Sequence, residues 1–404
     1  MIKAGVICFI YAAFTLCFVA TATAQSGKIS DGVVKIGVLT DMSGPLSDIT
    51  GEGSVVAIKM AVEDFGGNVL GKPIEVLVAD HQNKPDIAAA IARKWIDTEK
   101  VDAIVELANS GTALTVSSIG KEKNRIVIVN GAASDRLTNE DCTSTTIHYT
   151  YDTYSLANST GAAVVKQGGD SWFFLTADYT FGTTLESETS NVVKGSGGTV
   201  LGSVRHPINT SDFSSYLLQA QASGAKVIGL ANAGGDTINA IKGAKEFGLR
   251  QRLAALLLYI TDIASLGLET AQGLLFTDAF YWDFNDETRK WARRFFERRK
   301  KMPTSIQAGD YSSTVHYLKA IQAAGTDEAG AVMAKMKTTP ITDFFAKNGK
   351  IRDDGRMVHD MYVLEVKKPT ESKYPWDYFA VKAIIAGEQA FRPLSKSACP
   401  LVKR

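Results

Sequence analysis

The strongest constraint on this chain is an alternation of short apolar runs, rich in β-branched residues, with longer amphipathic stretches. It begins at Val34-Lys35-Ile36-Gly37-Val38-Leu39 and passes a Ser43-Gly44-Pro45 turn. The next segment places Ile58, Ala61, Val62 and Phe65 at helical spacing and closes on Gly66-Gly67, where a helix C-cap belongs. Further strands are expected at 73–80, 101–107 and 125–131, separated by helices over 87–98 and 112–123. A second series follows the run Tyr149 to Tyr154, with strands at 171–177, 199–205, 226–231 and 253–259 and helices at 156–167, 185–194, 213–222 and 237–247. Each series predicts right-handed βαβ crossovers and a parallel sheet wound on both faces. After 273–280 come a charge-rich helical stretch through Lys301, a helix over 312–324 and a hairpin-like segment around 357–366. The fold class is α/β, with two doubly wound parallel-sheet lobes. No low-complexity linker separates them, so several short chain crossings are expected.

The first two dozen residues form a separate unit. Lys3 precedes an apolar run from Val6 to Val19 that is short for a membrane span, and small residues at Ala22 and Ala24 supply a signal-peptidase pattern. Residues 1–24 are therefore expected to be a signal peptide cleaved after Ala24, which makes the protein an exported one. Losing Lys3 lowers the basic count from 44 to 43, against 43 acidic residues. A neutral chain disfavours nucleic acid and acidic lipid as main partners. Cys8 and Cys17 leave with the signal, so Cys142 and Cys399 remain, and in an oxidising compartment they are expected to form one disulfide; two free thiols are the alternative.

Enzyme signatures are weak. Gly195-Ser196-Gly197-Gly198 precedes a strand instead of following one, so it is a turn and not a dinucleotide cradle. Ser118-Ile119-Gly120-Lys121 matches S-x-x-K without the partner motifs. His81, His148, His206, His316 and His359 are scattered singly, and Asp41 and Asp80 at strand ends suit loop and capping roles. No catalytic residue, metal ligand or cofactor site is expected. The basic cluster Arg293-Arg294 and Arg298 to Lys301 follows Asp283, Asp286 and Glu287 and predicts a solvated helix face with local ion pairs.

More specific are Ile36-Gly37-Val38-Leu39-Thr40-Asp41-Met42-Ser43-Gly44-Pro45 with Gly51 and Ala57, then Ala61 to Gly67, Gly71-Lys72-Pro73-Ile74-Glu75-Val76, Val101-Asp102-Ala103-Ile104, Ala132 to Thr138, Asp178-Tyr179-Thr180-Phe181-Gly182 and Ala225 to Ile228. In that order they resemble the leucine/isoleucine/valine-binding protein family over nearly the whole exported chain. The resemblance implies a type I periplasmic binding fold, a flytrap of two lobes joined by three strands that holds a solute in its cleft. By it, an N-terminal lobe comprises 31–150 plus 280–355 and a C-terminal lobe 151–279 plus 356–404. It further implies a periplasmic monomer that presents a small-molecule carboxylate to the permease subunits of an ABC importer. A ligand sensor docking on a membrane receptor is the alternative, and a hydrolase the lesser one.

Ligands in open parallel sheets bind at the carboxyl ends of strands. Two loops there immediately precede helices, so free N–H groups and short hydroxyls of Asn109, Ser110, Gly111, Ala132, Ala133 and Ser134 suit a carboxylate, with simple helix capping as the bland reading. Ser43 and Thr50 bound a third loop. The other lobe is expected to close over the site with Tyr179, Phe181, Asn232 and Tyr259, and Phe280 lies near a crossing. Two departures from the family matter. Leu256-Leu257-Leu258-Tyr259 stands where amino-acid binders carry an acid for the ligand's ammonium, with Asp262 offset, and Thr50 replaces an aromatic residue before Gly51. An unpaired buried ammonium costs several kcal/mol. The expected ligand is accordingly an organic acid without an amino group, an aromatic carboxylate preferred.

Overall fold

β1 (Val34–Thr40) is buried along almost its whole length, a condition met only when helices cover both faces of its sheet. The computed structural model describes residue 1 and residues 28–403, so all but Met1 of the expected signal peptide, and the expected cleavage point after Ala24, lie outside the described residues. β1 sits at the centre of a sheet completed by β2 (Asn68–Val69), β3 (Lys72–Asp80), β4 (Ala103–Glu106), β5 (Ile126–Val129) and β6 (Thr146–His148), in the order β2-β3-β1-β4-β5-β6. Only β2 runs antiparallel to its neighbour. Leu39, Ile104 and Val127 face helices Pro85–Asp97 and Ser110–Lys123, while Val38, Val105 and Ile128 face Gly51–Asp64 and a helix from late in the chain, Ser305–Ala324.

The second sheet contains β7 (Ser171–Ala177), β8 (Thr199–His206), β9 (Val227–Ala231) and β10 (Arg252–Ala255), all parallel, in the order β10-β9-β7-β8. β11 (Leu275–Asp278) follows. The small pair β12 (Lys350–Ile351) and β13 (Met357–Val358) is antiparallel, and β14 (Met361–Val366) and β15 (Phe379–Ile385) join β11 in an antiparallel sheet ordered β11-β14-β15.

Several sequence expectations change. The segment 357–366 is not a hairpin: β13 pairs with β12, while β14, after His359 and Asp360, pairs with β11 and β15 in another sheet. The strand expected over 253–259 stops at Ala255, since Tyr259 starts the helix Ile260–Leu266 and its N–H is taken by the Asp262 carboxylate at 3.0 Å. The basic helix Asp286–Arg299 is pinned by distant partners as well as local ones. Arg294 pairs with Asp64 at 2.7 Å and Arg298 with Glu63 at 2.8 Å, which straps this helix to Gly51–Asp64, while Arg289 pairs locally with Asp283 and Asp286.

Arg356 is wholly buried where two crossing segments meet. Its guanidinium donates to the carbonyls of Tyr151 (2.9 Å) and Met357 (3.0 Å), pairs with Asp152 at 3.5 Å and lies over the Phe391 ring. His359 Nε2 adds a bond to Thr150 O at 2.5 Å. The tail then returns along the molecule. Arg392 bridges Asp135 and Glu188, and Cys399 bonds Cys142 across 257 residues. The disulfide expected from sequence is present.

Carboxyls buried near the middle of the fold have raised pKa values. Burial pushes Asp262 and Asp278 up to about 7. Glu106 and Asp310, fully enclosed, are both raised by burial, and Glu106 next by the Asp310 charge. Burial holds His81 and His359 down at about 4.

Two outcomes follow from this interior. Reducing the protein, or replacing Cys142 with Ala, removes about 2–4 kcal/mol and lowers the melting midpoint by roughly 3–5 °C in calorimetry, with the α/β circular dichroism retained below the transition. The second concerns pH. A carboxyl raised in the folded state loses stabilisation as pH climbs from its unfolded value near 4 through its folded value, whereas a depressed histidine gains it only up to about 6.5. Above pH 6.5 the carboxyl effect acts alone, so the midpoint falls between pH 6.5 and 8.5, and Glu106→Gln reduces that fall by at least about 2 °C.

Candidate functional site

Three loops leave the carboxyl edge of the first sheet side by side. After β1 the Asp41 carboxylate accepts the N–H groups of Gly44 (2.7 Å) and Leu46 (2.9 Å) and the Asn83 amide (2.7 Å), while Asp80 accepts Met42 N–H and the Ser43 hydroxyl. The two acids thus have the loop roles expected of them. They fix a turn whose apolar residues Leu46 and Ile49 face a cavity. After β4 the Asn109 side chain caps the helix Ser110–Lys123, accepting Gly111 N–H at 2.8 Å and Thr112 N–H at 3.3 Å. After β5 comes the turn Gly131 to Ser134, crossed by a bond from Ser134 N–H to the Ser110 hydroxyl at 3.1 Å. Gly131 is required there, because a Cβ would stand 2.2 Å from a Glu106 carboxylate oxygen and 2.9 Å from Ala108 Cα.

The remaining backbone of that turn is largely committed. His148 Nε2 donates to Ala132 O at 2.7 Å and Thr153 N–H to Ala133 O at 2.7 Å. The Ala133 N–H finds no acceptor among the described residues.

The second sheet supplies the opposite wall from the loops after β7, β9 and β10. The cavity so formed has about 240 Å³ of space free of atoms, of which about 10 Å³ can hold the centre of a water molecule, so its walls stand close together. It is lined by Leu46, Ile49, Ala108, Ser110, Gly131 and Ala133 on one side and by Tyr179, Phe181, Ala233, Leu257 and Tyr259 on the other. No charged side chain is among them. The Tyr179 hydroxyl has no hydrogen-bond partner among the described residues, and burial raises its pKa far beyond that of a free phenol. Tyr259 meets the Tyr151 hydroxyl, which in turn donates to Gly131 O at 2.8 Å.

The two walls also touch directly. Gly235 N–H donates to Pro45 O at 3.2 Å, and the Ser134 and Thr184 hydroxyls are 3.2 Å apart. Gly234 has φ +57°, and a Cβ there would lie 2.5 Å from Pro45 O.

Of the residues selected from sequence, Ser110, Ala133, Tyr179, Phe181 and Tyr259 line the cavity. Asn109, Gly111, Ala132 and Ser134 build its rim and helix cap from behind. Ser43 is tied to Asp80 and the Thr50 hydroxyl to Leu46 O, and neither lines the space. Asn232 is buried against His206 and Thr237, and Phe280 packs on Trp291, Phe344 and Phe345, away from the lining. Asp262 is spent on its own helix N-terminus. Ala108, Gly131 and Ala233 belong to loops expected at the site, and Leu257 to the apolar run opposite the ammonium position, although none was selected as a ligand contact; Leu46 and Ile49 were not named, and an isolated apolar residue inside a polar loop is the one signal that marks such positions.

Among the described residues no helix is long and apolar enough to cross a membrane, and no group of acids, cysteines and histidines gathers as metal ligands. Residues 33–372 match the family model described as periplasmic binding protein. The crystal structure of a periplasmic binding protein from Burkholderia mallei is 59% identical, superposes with a TM-score of 0.91, and covers 92% of this chain and 100% of its own. A branched-chain amino acid ABC transporter periplasmic ligand-binding protein from Burkholderia xenovorans LB400 is 41% identical with a TM-score of 0.81, again over 92% and 100% of the two chains. The Leu/Ile/Val-binding protein homolog 6 of Brucella melitensis is 25% identical over 370 residues, 87% of this chain and 92% of that protein. With two doubly wound sheets closing on one cavity and a match over most of its length, this chain belongs to the periplasmic binding protein family, among the relatives of the leucine/isoleucine/valine-binding proteins.

Proposed function

We propose that this periplasmic solute-binding protein captures a small organic acid, an aromatic carboxylate preferred, and delivers it to the permease subunits of an ABC importer. The observation that carries the reading is the composition of the cavity wall: apolar and aromatic side chains, hydroxyls and a free backbone N–H, with no carboxylate and no cation. A carboxylate at the Ser110 helix terminus receives N–H and O–H donors and the favourable end of the helix dipole. Its apolar body then meets Leu46, Ile49, Phe181 and Leu257. An α-ammonium in the same space has no lining acid to pair with and bears an uncompensated desolvation cost.

In this reading the lobes are 31–150 with 280–355 and 151–279 with 356–404. Support comes from the packing of Ser305–Ala324 on Gly51–Asp64 and the pairing of β14 and β15 with β11. They open about the crossing segments beside Arg356 and close through the Gly235 and Pro45 contact, and the closed face is what a permease recognises. A branched-chain amino acid is the second reading, favoured by the description of the 41%-identical relative.

Titration calorimetry against leucine, isoleucine, valine, benzoate, phenylacetate and cinnamate tests the ligand class. We expect micromolar or tighter binding of at least one aromatic acid and at least about 100-fold weaker binding of leucine; the reverse order overturns the reading. Closure is tested separately by Gly234→Ala, whose Cβ collides with Pro45 O and strains a positive-φ position, while it meets the lining residue Leu46 only at an ordinary contact distance of 3.5 Å. It should weaken binding by about tenfold or more, mostly through faster dissociation in stopped-flow traces.

A further inference from the structure

We propose that Tyr259 makes the cavity selective for carboxylates bearing a second, uncharged hydrogen-bond donor, such as a phenolic hydroxyl or an arylamine, because its own hydroxyl proton is committed to Tyr151. The inference rests on the carboxylate reading above and concerns the other end of the bound molecule.

The number of protons available decides which hydroxyl donates. A carbonyl only accepts and a tyrosine hydroxyl carries one proton. Tyr151 Oη stands 2.8 Å from Gly131 O and must spend its proton there. Its further contact with Tyr259 Oη is then a hydrogen bond only if Tyr259 donates. Burial holds both phenols well above their usual pKa, so each keeps its proton at neutral pH. Tyr259 is left with lone pairs alone, and both ends of the relay, Tyr259 and Gly131, line the cavity.

The relay is also fixed in place. Arg356 holds the Tyr151 backbone carbonyl at 2.9 Å and Asp262 holds Tyr259 N–H at 3.0 Å, which fixes the backbone beneath both rings, and the Tyr151 ring is held at its far end by the bond to Gly131 O. The other hydroxyls of the lining behave oppositely. Ser110 accepts from Ser134 N–H and keeps its proton, and Tyr179 is unpartnered, so both remain donors suited to a carboxylate. One wall therefore offers donors and Tyr259 offers an acceptor. A ligand without a matching donor leaves that acceptor buried and unpaired, which costs about tenfold or more in affinity.

The test is a calorimetric series at pH 7 with benzoates substituted at position 3 or 4 by OH, NH2, F or CH3, groups of similar size of which the first two donate. At one ring position at least, the hydroxy and amino acids should bind about tenfold or more tighter than the fluoro and methyl acids. Tyr151→Phe releases the Tyr259 proton, so the preference for hydroxyl over fluorine should shrink by about tenfold, with folding checked by circular dichroism. Equal affinities across the four substituents overturn the donor inference and leave the carboxylate reading standing. An unchanged preference in a folded Tyr151→Phe protein overturns the relay as its cause. Leucine binding with no benzoate binding overturns the carboxylate reading and this inference with it. Should the variant fail to fold, the wild-type series decides by itself.

Discussion

One buried guanidinium, that of Arg356, fixes how the two sheets face each other. It has no contact with solvent, and burial lowers its pKa to about 10, still well above neutrality, so a full charge sits between the crossing segments. Removing one partner of a buried pair leaves an uncompensated charge and costs several kcal/mol, so the carbonyls of Tyr151 and Met357 and the Asp152 carboxylate are held where they are. Much of the site depends on that anchorage. Asp152 also caps the helix that begins at Thr153, Thr153 N–H holds the Ala133 carbonyl, and the Tyr151 hydroxyl holds Gly131. A charge that does not line the cavity thereby shapes the turn, Gly131 to Ser134, that does.

The cavity itself is a consequence of strand direction. In a parallel sheet every strand delivers its loop to the same edge, so two such sheets placed edge to edge bring six or more loops together. What distinguishes this version is where the charges have gone. Asp41, Asp80 and Asp262 all stand close to the cavity in sequence, and each is consumed by backbone N–H groups of its own loop or helix. The lining is left to backbone, hydroxyls and apolar side chains, a surface that presents shape and hydrogen-bond direction instead of net charge.

How much of this was legible beforehand follows from the physics of each feature. β1, β5 and β9 were plain because strands covered on both faces must be almost continuously apolar. β15 was not, since it is an edge strand whose sequence shows no apolar and polar alternation: Lys382 is its one polar residue, and the stretch from Val381 to Ile384 is exposed. The three-residue β6 and the helix Ala329–Thr338, with three small residues among its first four, also lack a clear period. Among site residues, the loops could be located from strand ends and family resemblance. The individual lining positions could not, because Gly131 acts through the absence of a side chain and Leu257 through a strand that ends earlier than its apolar run suggests. The Tyr151 and Tyr259 pair joins residues 108 apart, and no local pattern announces such a meeting.

The bond between Cys142 and Cys399 has a consequence for how the molecule is made. β7 to β15 all lie between the two cysteines, so during synthesis the first thiol waits for the rest of the second lobe to follow. A linkage that late cannot choose which strands pair; the crossovers and the apolar faces must already have done so. Its role is that of a seal applied to finished work, and a chain that misfolds earlier presents Cys142 unpaired to any oxidising partner that tests it.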